Sequence, residues 1–255
     1  MRYKELFQIG HDSEFPLLKG TSIVSALDAL GERVYEDPAG RYFADNMNCE
    51  IAINPVKTEK KFHEYTTHLL NKVKEEGYSV AMVPVVKYPS AALQHPLAYI
   101  SGCNPDLSAY TEEENEAPDF TQMDSSRSCG AHVHVEHGDE LSSYNLAKWM
   151  DAFLALPLLF REIPSKRRSM YGGAGCIRVK PYGTEYRTLS NNWLNDEKLR
   201  SFVWENTHKA VAVAKKKRIE DFDPEFIIPQ AIDRHDLDLA ARALDMMYVH
   251  GVSKI

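Results

Sequence analysis

Hydrophobic and polar residues alternate along this chain with two periods, one of a strand and one of a helix. KELFQIGHDSEF reads as an early strand, and NCEIAIN as another, closed by Asn54-Pro55, a pair suited to open a helix. In the helix expected there, Phe62, Tyr65, Leu69, Leu70 and Val73 recur at helical spacing, and Gly77 stops it. YSVAMVPVVKYP is a buried strand candidate interrupted by prolines. A second helix follows Ser142 and Ser143, with Leu146, Trp149, Met150 and Phe153 on its apolar face and a bend before Pro157. C-terminal helices start near Asn195, and the last covers roughly 234 to 249. The mixture predicts an α+β fold, with helices covering one face of a largely antiparallel sheet in a single domain over 1–255.

The same alternation sorts the polar residues. Asp12 and Glu14 are two apart, as are His132 and His134 in CGAHVHV, and Glu185 and Arg187 in CIRVKPYGTEYRTLS. On a strand each pair projects from one face, with apolar residues such as Val133 and Val135 opposite. Glu50 adds a lone carboxylate followed by alternating Ile51 and Ile53. A polar pair of this kind is also what the wet face of any half-buried strand looks like. The conjunction says more. If the strands share a sheet, one face collects Asp12, Glu14, Glu50, His132, His134, Glu185 and Arg187. Facing carboxylates repel unless cations neutralise them or their pKa values rise. A carboxylate-rich set with one His ligand suits Mg²⁺ or Mn²⁺ better than zinc.

Composition narrows the partners. Hydrophobic content of 44% and charged content of 26% are those of an ordinary globular protein. The net charge of -7 argues against a general nucleic-acid binder. No apolar run approaches the roughly 20 residues of a membrane span, and the first residues lack the apolar core of a signal peptide. Cys49, Cys103, Cys129 and Cys176 form no C-x-x-C pair, so a cytoplasmic protein with reduced thiols is expected.

Two segments read as functional loops. Residues 101 to 128 carry little periodicity and many turn formers, as a lid or binding loop does. Residues 164 to 175, PSKRRSMYGGAG, join Lys166, Arg167 and Arg168 to a glycine-rich turn whose N–H groups could approach an anion. It lacks the Gly-Lys-Ser/Thr ending of a Walker loop. The three basic side chains would add positive charge for an anion, and a solvated basic turn would read the same way.

IGHDSEF, ADNMNCEIAINP, CGAHVHV and YGGAGCIRVKPYGTEYRTLSNNWL together resemble, in order, the motifs of the phage-associated carboxylate–amine ligases of type 2. That family sits in the glutamine synthetase and glutamate–cysteine ligase superfamily. The resemblance implies a curved antiparallel sheet that binds ATP and divalent ions on its concave face, and ATP-dependent formation of an amide or peptide-like bond. It implies metal ligands at Asp12, Glu14, Glu50, His132 and Glu185, with His134 facing substrate carboxylate or phosphate. Arg187 would hold the transferred phosphoryl group, and Arg178, with Arg167 and Arg168 of the basic turn, is expected at the phosphate end of the nucleotide pocket. Asp12 is shorter than the Glu common in relatives, which leaves its direct ligation open. His137 has no motif counterpart and reads as a surface residue at a strand end.

Two other readings stay open at this stage. A metal-dependent hydrolase or cupin-like enzyme could use the His-x-His strand, although the cupin pattern places its glutamate closer to the second His than Glu140. A non-catalytic protein could keep the same sheet. The substrates, whether small molecule, amino acid, peptide terminus, polyamine or modified nucleotide, and the oligomeric state are not specified by these motifs. A phage origin, and with it a host-cytoplasm location, is implied by the resemblance alone.

Overall fold

The computed structural model describes residues 7–99, 106–116, 125–223 and 225–252. Strand β1 (Ile9–Phe15) is followed by a hairpin, β2 (Leu17–Lys19) and β3 (Ser22–Val24), and by helix α1 (Ala26–Leu30). Next come β4 (Tyr35–Asp37), β5 (Gly40–Asp45), β6 (Asn48–Ile53) and helix α2 (Glu59–Glu75). Short strands β7 (Ser79–Val80), β8 (Val85–Lys87), β9 (Leu107–Ser108) and β10 (Ser126–Ser128) lead to β11 (Ala131–Glu136). Helix α3 (Ser143–Met150) runs through a π turn over Asp151–Ala155 into α4 (Leu156–Leu158), and α5 (Arg167–Met170) follows. The hairpin β12 (Cys176–Lys180) and β13 (Gly183–Tyr186) precedes α6 (Glu197–Ala214), α7 (Ile227–Arg234) and α8 (Leu237–Met247).

Eight strands form one sheet in the order β4-β5-β6-β1-β11-β13-β12-β9, and every neighbouring pair is antiparallel. The α+β class and the antiparallel sheet are as expected. Strand alternation gives this sheet two chemically different faces. Ile9, Phe15, Ile51, Val133, Val135, Ile177 and Tyr186 are buried on one face, against α2 and α3, with α6 packed on those helices. His11 also points that way. Burial lowers its pKa from 6.5 to about 3, and Thr66 and Ser13 satisfy its two nitrogens at 2.8 and 2.9 Å.

Three boundaries differ from expectation. Asn54-Pro55 does not open α2, because Val56 exchanges two backbone hydrogen bonds with Ile9, both 2.9 Å. Thr58 caps the helix instead, accepting from Lys61 N. The last helix, expected over roughly 234 to 249, is α8, which starts a little later behind its cap Asp236; the left-handed His235 (φ 50) separates it from α7, a helix that was not expected. The segment 101–128 is not featureless, since β9 joins the main sheet and β10 pairs with β8. Its lid expectation bears partly on residues 101–105 and 117–124, which lie outside the described residues. Among the described residues no helix is long and apolar enough to cross a membrane.

Candidate active site

Register places the polar residues before any distance is measured. Asp12 lies opposite His132, Glu14 opposite Glu50, and Glu185 opposite both His134 and Arg178. Opposed residues in antiparallel strands share a face, so Asp12, Glu14, Glu50, His132, His134, Arg178 and Glu185 all stand on the face away from the helices. Arg187 follows Tyr186 in phase and joins them through its side chain.

Two groups of ligand-type atoms gather there. Asp12, His132 and Glu185 offer atoms within 4.8 Å of one another, as do Glu14, Asp45 and Glu50. In the first, His132 Nδ1 lies 2.8 Å from Asp12 Oδ1 and 3.9 Å from Glu185 Oε1. His134 turns to the other Asp12 oxygen, with Nε2 2.9 Å from Oδ2, while its Nδ1 pairs with the Tyr182 hydroxyl at 2.5 Å. His132 and His134 therefore do not converge on one ion position, which disfavours a His-x-His metal centre. Gly130 makes room for this geometry. A Cβ there would stand 2.5 Å from His132 Nε2.

The electrostatics suit a bound cation. Burial pushes the Glu14 carboxyl up from 4.5 to about 7, helped by the charge of Asp45. Burial also raises Asp45, against the pull of Arg187. Glu185 is raised by burial and by the charge of Asp12. Asp12 goes the other way: burial works against its anion, but the imidazoles of His134 and His132 hold it well below the usual range. His132 is kept neutral, lowered to about 3 by burial and by Arg187, which is the form a metal ligand needs. Carboxylates on each cluster that resist ionisation, beside one neutral imidazole, make a donor set suited to hard divalent cations.

Three cations converge on Glu185. Lys180 Nζ is 2.9 Å from Oε2, Arg178 Nη1 is 3.7 Å from Oε1, and Arg187 Nη1 contacts Oε1. Arg187 Nε also lies 3.5 Å from Asp106 Oδ2. A cleft of about 220 Å³ opens at Asp12 and His134, bordered also by Gly10, Arg41, Asn54 and Tyr182.

Arg167 and Arg168 do not line this face, contrary to expectation. Arg167 is 1% exposed, and its guanidinium donates to the carbonyls of Gly172, Arg187, Thr188 and Leu189 at 3.3, 3.2, 2.7 and 2.8 Å. Gly172 is required for that fit: it sits at φ 70, and a Cβ would stand 2.5 Å from the guanidinium. Arg168 donates to Glu162 Oε2 at 2.8 Å. Burial would raise the Glu162 carboxyl, but Arg168, the Ser190 hydroxyl and Arg167 together hold it below its usual value. Both donor groups are committed inside the protein. His137 is half-buried and pairs with the Thr184 hydroxyl at 2.7 Å, so it is less a surface residue than its place at the strand end suggested.

Asp45, Lys180 and Asp106 escaped the sequence reading. Lys180 lies two residues after Arg178, so the alternation that singled out the other pairs would have found it. Asp45 ends β5, whose register sets Phe43 against Glu50; no sequence spacing reveals that approach. Asp106 sits in a stretch without periodicity.

No curated protein matches the chain. Among solved structures, the bifunctional glutathione synthetase from Pasteurella multocida matches at 11% identity and a TM-score of 0.44, covering 97% of this chain and 45% of that one. The chain thus spans under half the length of that enzyme. A family described as Phage phiEco32-like COOH.NH2 ligase-type 2 matches residues 122–229. That stretch holds β11, β12 and β13 with His132, His134, Arg178, Glu185 and Arg187. The resemblance read from the motifs is supported over that stretch, where residues 122–229 are similar to the COOH.NH2 ligase-type 2 family.

Proposed function

We propose that this protein is an ATP-dependent carboxylate–amine ligase that works with Mg²⁺ or Mn²⁺ through an acyl phosphate. One observation carries the reading: two ligand clusters stand side by side on one sheet face, with Arg178, Lys180 and Arg187 against the first. A carboxylate does not react with an amine at neutral pH because oxide is a poor leaving group; ATP supplies the phosphoryl group that makes it one the amine can displace. Phosphoryl transfer asks a protein mainly for positioning and charge neutralisation.

In this reading Asp12, His132 and Glu185 would hold one divalent cation for the ATP phosphates, and Glu14, Asp45 and Glu50 would hold a second. Bound cations would offset the charge spread over the phosphate oxygens. Arg178, Lys180 and Arg187 approach the phosphates, and Arg187 stabilises the group in transfer. His134, fixed by Asp12 on one nitrogen and Tyr182 on the other, presents a rigid edge to the substrate.

The test is nucleotide turnover by purified protein with Mg²⁺ and a panel of carboxylates and amines. ADP release stimulated by both substrates together, with a new amide product by mass spectrometry, is expected. Turnover of amides without nucleotide would favour the hydrolase instead, and nucleotide binding without turnover on any pair would favour a binding protein.

A further inference from the structure

Arg187 is held between two buried carboxylates. Its Nη1 contacts Glu185 Oε1, its Nε lies 3.5 Å from Asp106 Oδ2, and its guanidinium lies 5.1 Å from the centre of the Tyr171 ring. The Arg187, Glu185 and Asp106 side chains are 3%, 2% and 5% exposed, so water does little to screen any of them.

Glu185 Oε1 has a second claim on it. The same oxygen faces His132 Nδ1 at 3.9 Å, and Glu185 belongs to the ligand cluster with Asp12 and His132. A dication bound through Glu185 would repel a guanidinium on the same carboxylate, because two positive charges at such a distance interact strongly in a buried site. A cation taking its place in the cluster therefore weakens the hold of Glu185 on Arg187. A buried guanidinium stripped of its counter-charge is strongly destabilised. Something must keep it in position.

Asp106 is prepared for that. Asn115 Nδ2 donates to its Oδ1 at 2.7 Å, the Cys176 thiol donates to its Oδ2 at 2.8 Å, and Asn115 N donates to its backbone carbonyl at 2.8 Å. The carboxylate is oriented by groups that take no part in the metal cluster. We propose that Asp106 is the positioning residue for Arg187: when a cation claims Glu185, Arg187 is retained by Asp106 and stays aimed at the polar face. This rests on the ligase reading only in requiring a divalent cation at the Asp12–His132–Glu185 cluster.

The test follows the Arg187 Nε–H signal in a ¹H–¹⁵N spectrum of the full chain, assigned by its loss in Arg187→Lys. Mg²⁺ with inorganic tripolyphosphate serves as the probe, so no acceptor need be known. In the wild type the Arg187 signal should shift on adding the probe and remain sharp. In Asp106→Asn it should be visible before the probe and broaden beyond detection after it. Asn115→Ala keeps the charge but frees the carboxylate, and should show a weaker effect in the same direction; it also serves if Asp106→Asn folds poorly. ATP turnover should fall on the order of tenfold to a hundredfold in Asp106→Asn, with KM for ATP nearly unchanged. A signal that stays sharp with the probe in both variants overturns the role of Asp106 and leaves the ligase reading intact. No change in any arginine signal of the wild type would mean that no cation reaches the cluster, and both would fall.

Discussion

At the scale of single residues, the carboxylates carry the sharpest consequences. Glu14 has a folded pKa of about 7 against 4.5 unfolded, so its ionisation is penalised in the fold. A raised pKa gives stability that is present below about 4.5 and lost as pH rises through about 7. His11 and His132, both lowered to about 3, act in the opposite sense, so a variant comparison isolates the glutamate. Metal-free Glu14→Gln should match the wild type near pH 4 and exceed its melting temperature above pH 7, and Mg²⁺ should close the gap. Equal pH profiles in EDTA would remove Glu14 from the repulsive cluster. Arg187 makes a second case. Removing its charge would leave Glu185 and Asp106 buried without it, so Arg187→Lys is the informative change. Lysine keeps the charge but not the fork. It should stay folded and bind Mg·ATP, with turnover lowered about a hundredfold, a loss typical of one charge-stabilising donor. Near-normal turnover would move the phosphoryl contact to Arg178 or Lys180. Much of this chemistry was legible. Asp12 with Glu14, His132 with His134 and Glu185 with Arg187 declare a common face because strand alternation has a strict period of two.

At the scale of elements, Arg167 ties α5 to the segment that follows β13. Its guanidinium satisfies four backbone carbonyls, so Arg167→Ala would leave buried acceptors unpaired and should cost about 3–5 kcal/mol of stability. Arg178→Ala, on the half-exposed polar face, should cost far less and act on nucleotide affinity. Denaturant titration of both variants checks this, and comparable stabilities would contradict the clamp. Sequence could not separate these arginines. Basic residues beside glycines look alike whether the guanidinium meets a ligand or the chain's own carbonyls, and Gly172 serves the latter. The helix expected over roughly 234 to 249 is present as α8, whereas α7 went unread: it is only eight residues long, carries Pro229 and ends at the left-handed His235.

At the scale of the whole molecule, one sheet divides folding from chemistry, and cation binding should couple the two. A ligand at about 100 times its Kd stabilises by about 2.7 kcal/mol, which for a chain of this size is roughly 5–10 °C in melting temperature. Mg²⁺ with ATP should give a shift of that order, and Glu50→Gln combined with Glu185→Gln should abolish it. An undiminished shift in the double variant would place the cations elsewhere. The antiparallel architecture was readable from the strand patterns, whereas the meeting of Asp45 with Glu50 and of Asp106 with Arg187 depends on register and on an aperiodic segment. The two-faced strands also bear on how such a chain can change through descent. In β1, Asp12 and Glu14 alternate with His11 and Ser13, which face the helices. Inserting or deleting one residue in β1, β11 or β13 would exchange the two sets, sending ligands into the apolar layer and core residues to the surface. Lineages of this protein should therefore vary in length only between the inner strands, because inside them a mutation that ends catalysis by changing length ends folding too.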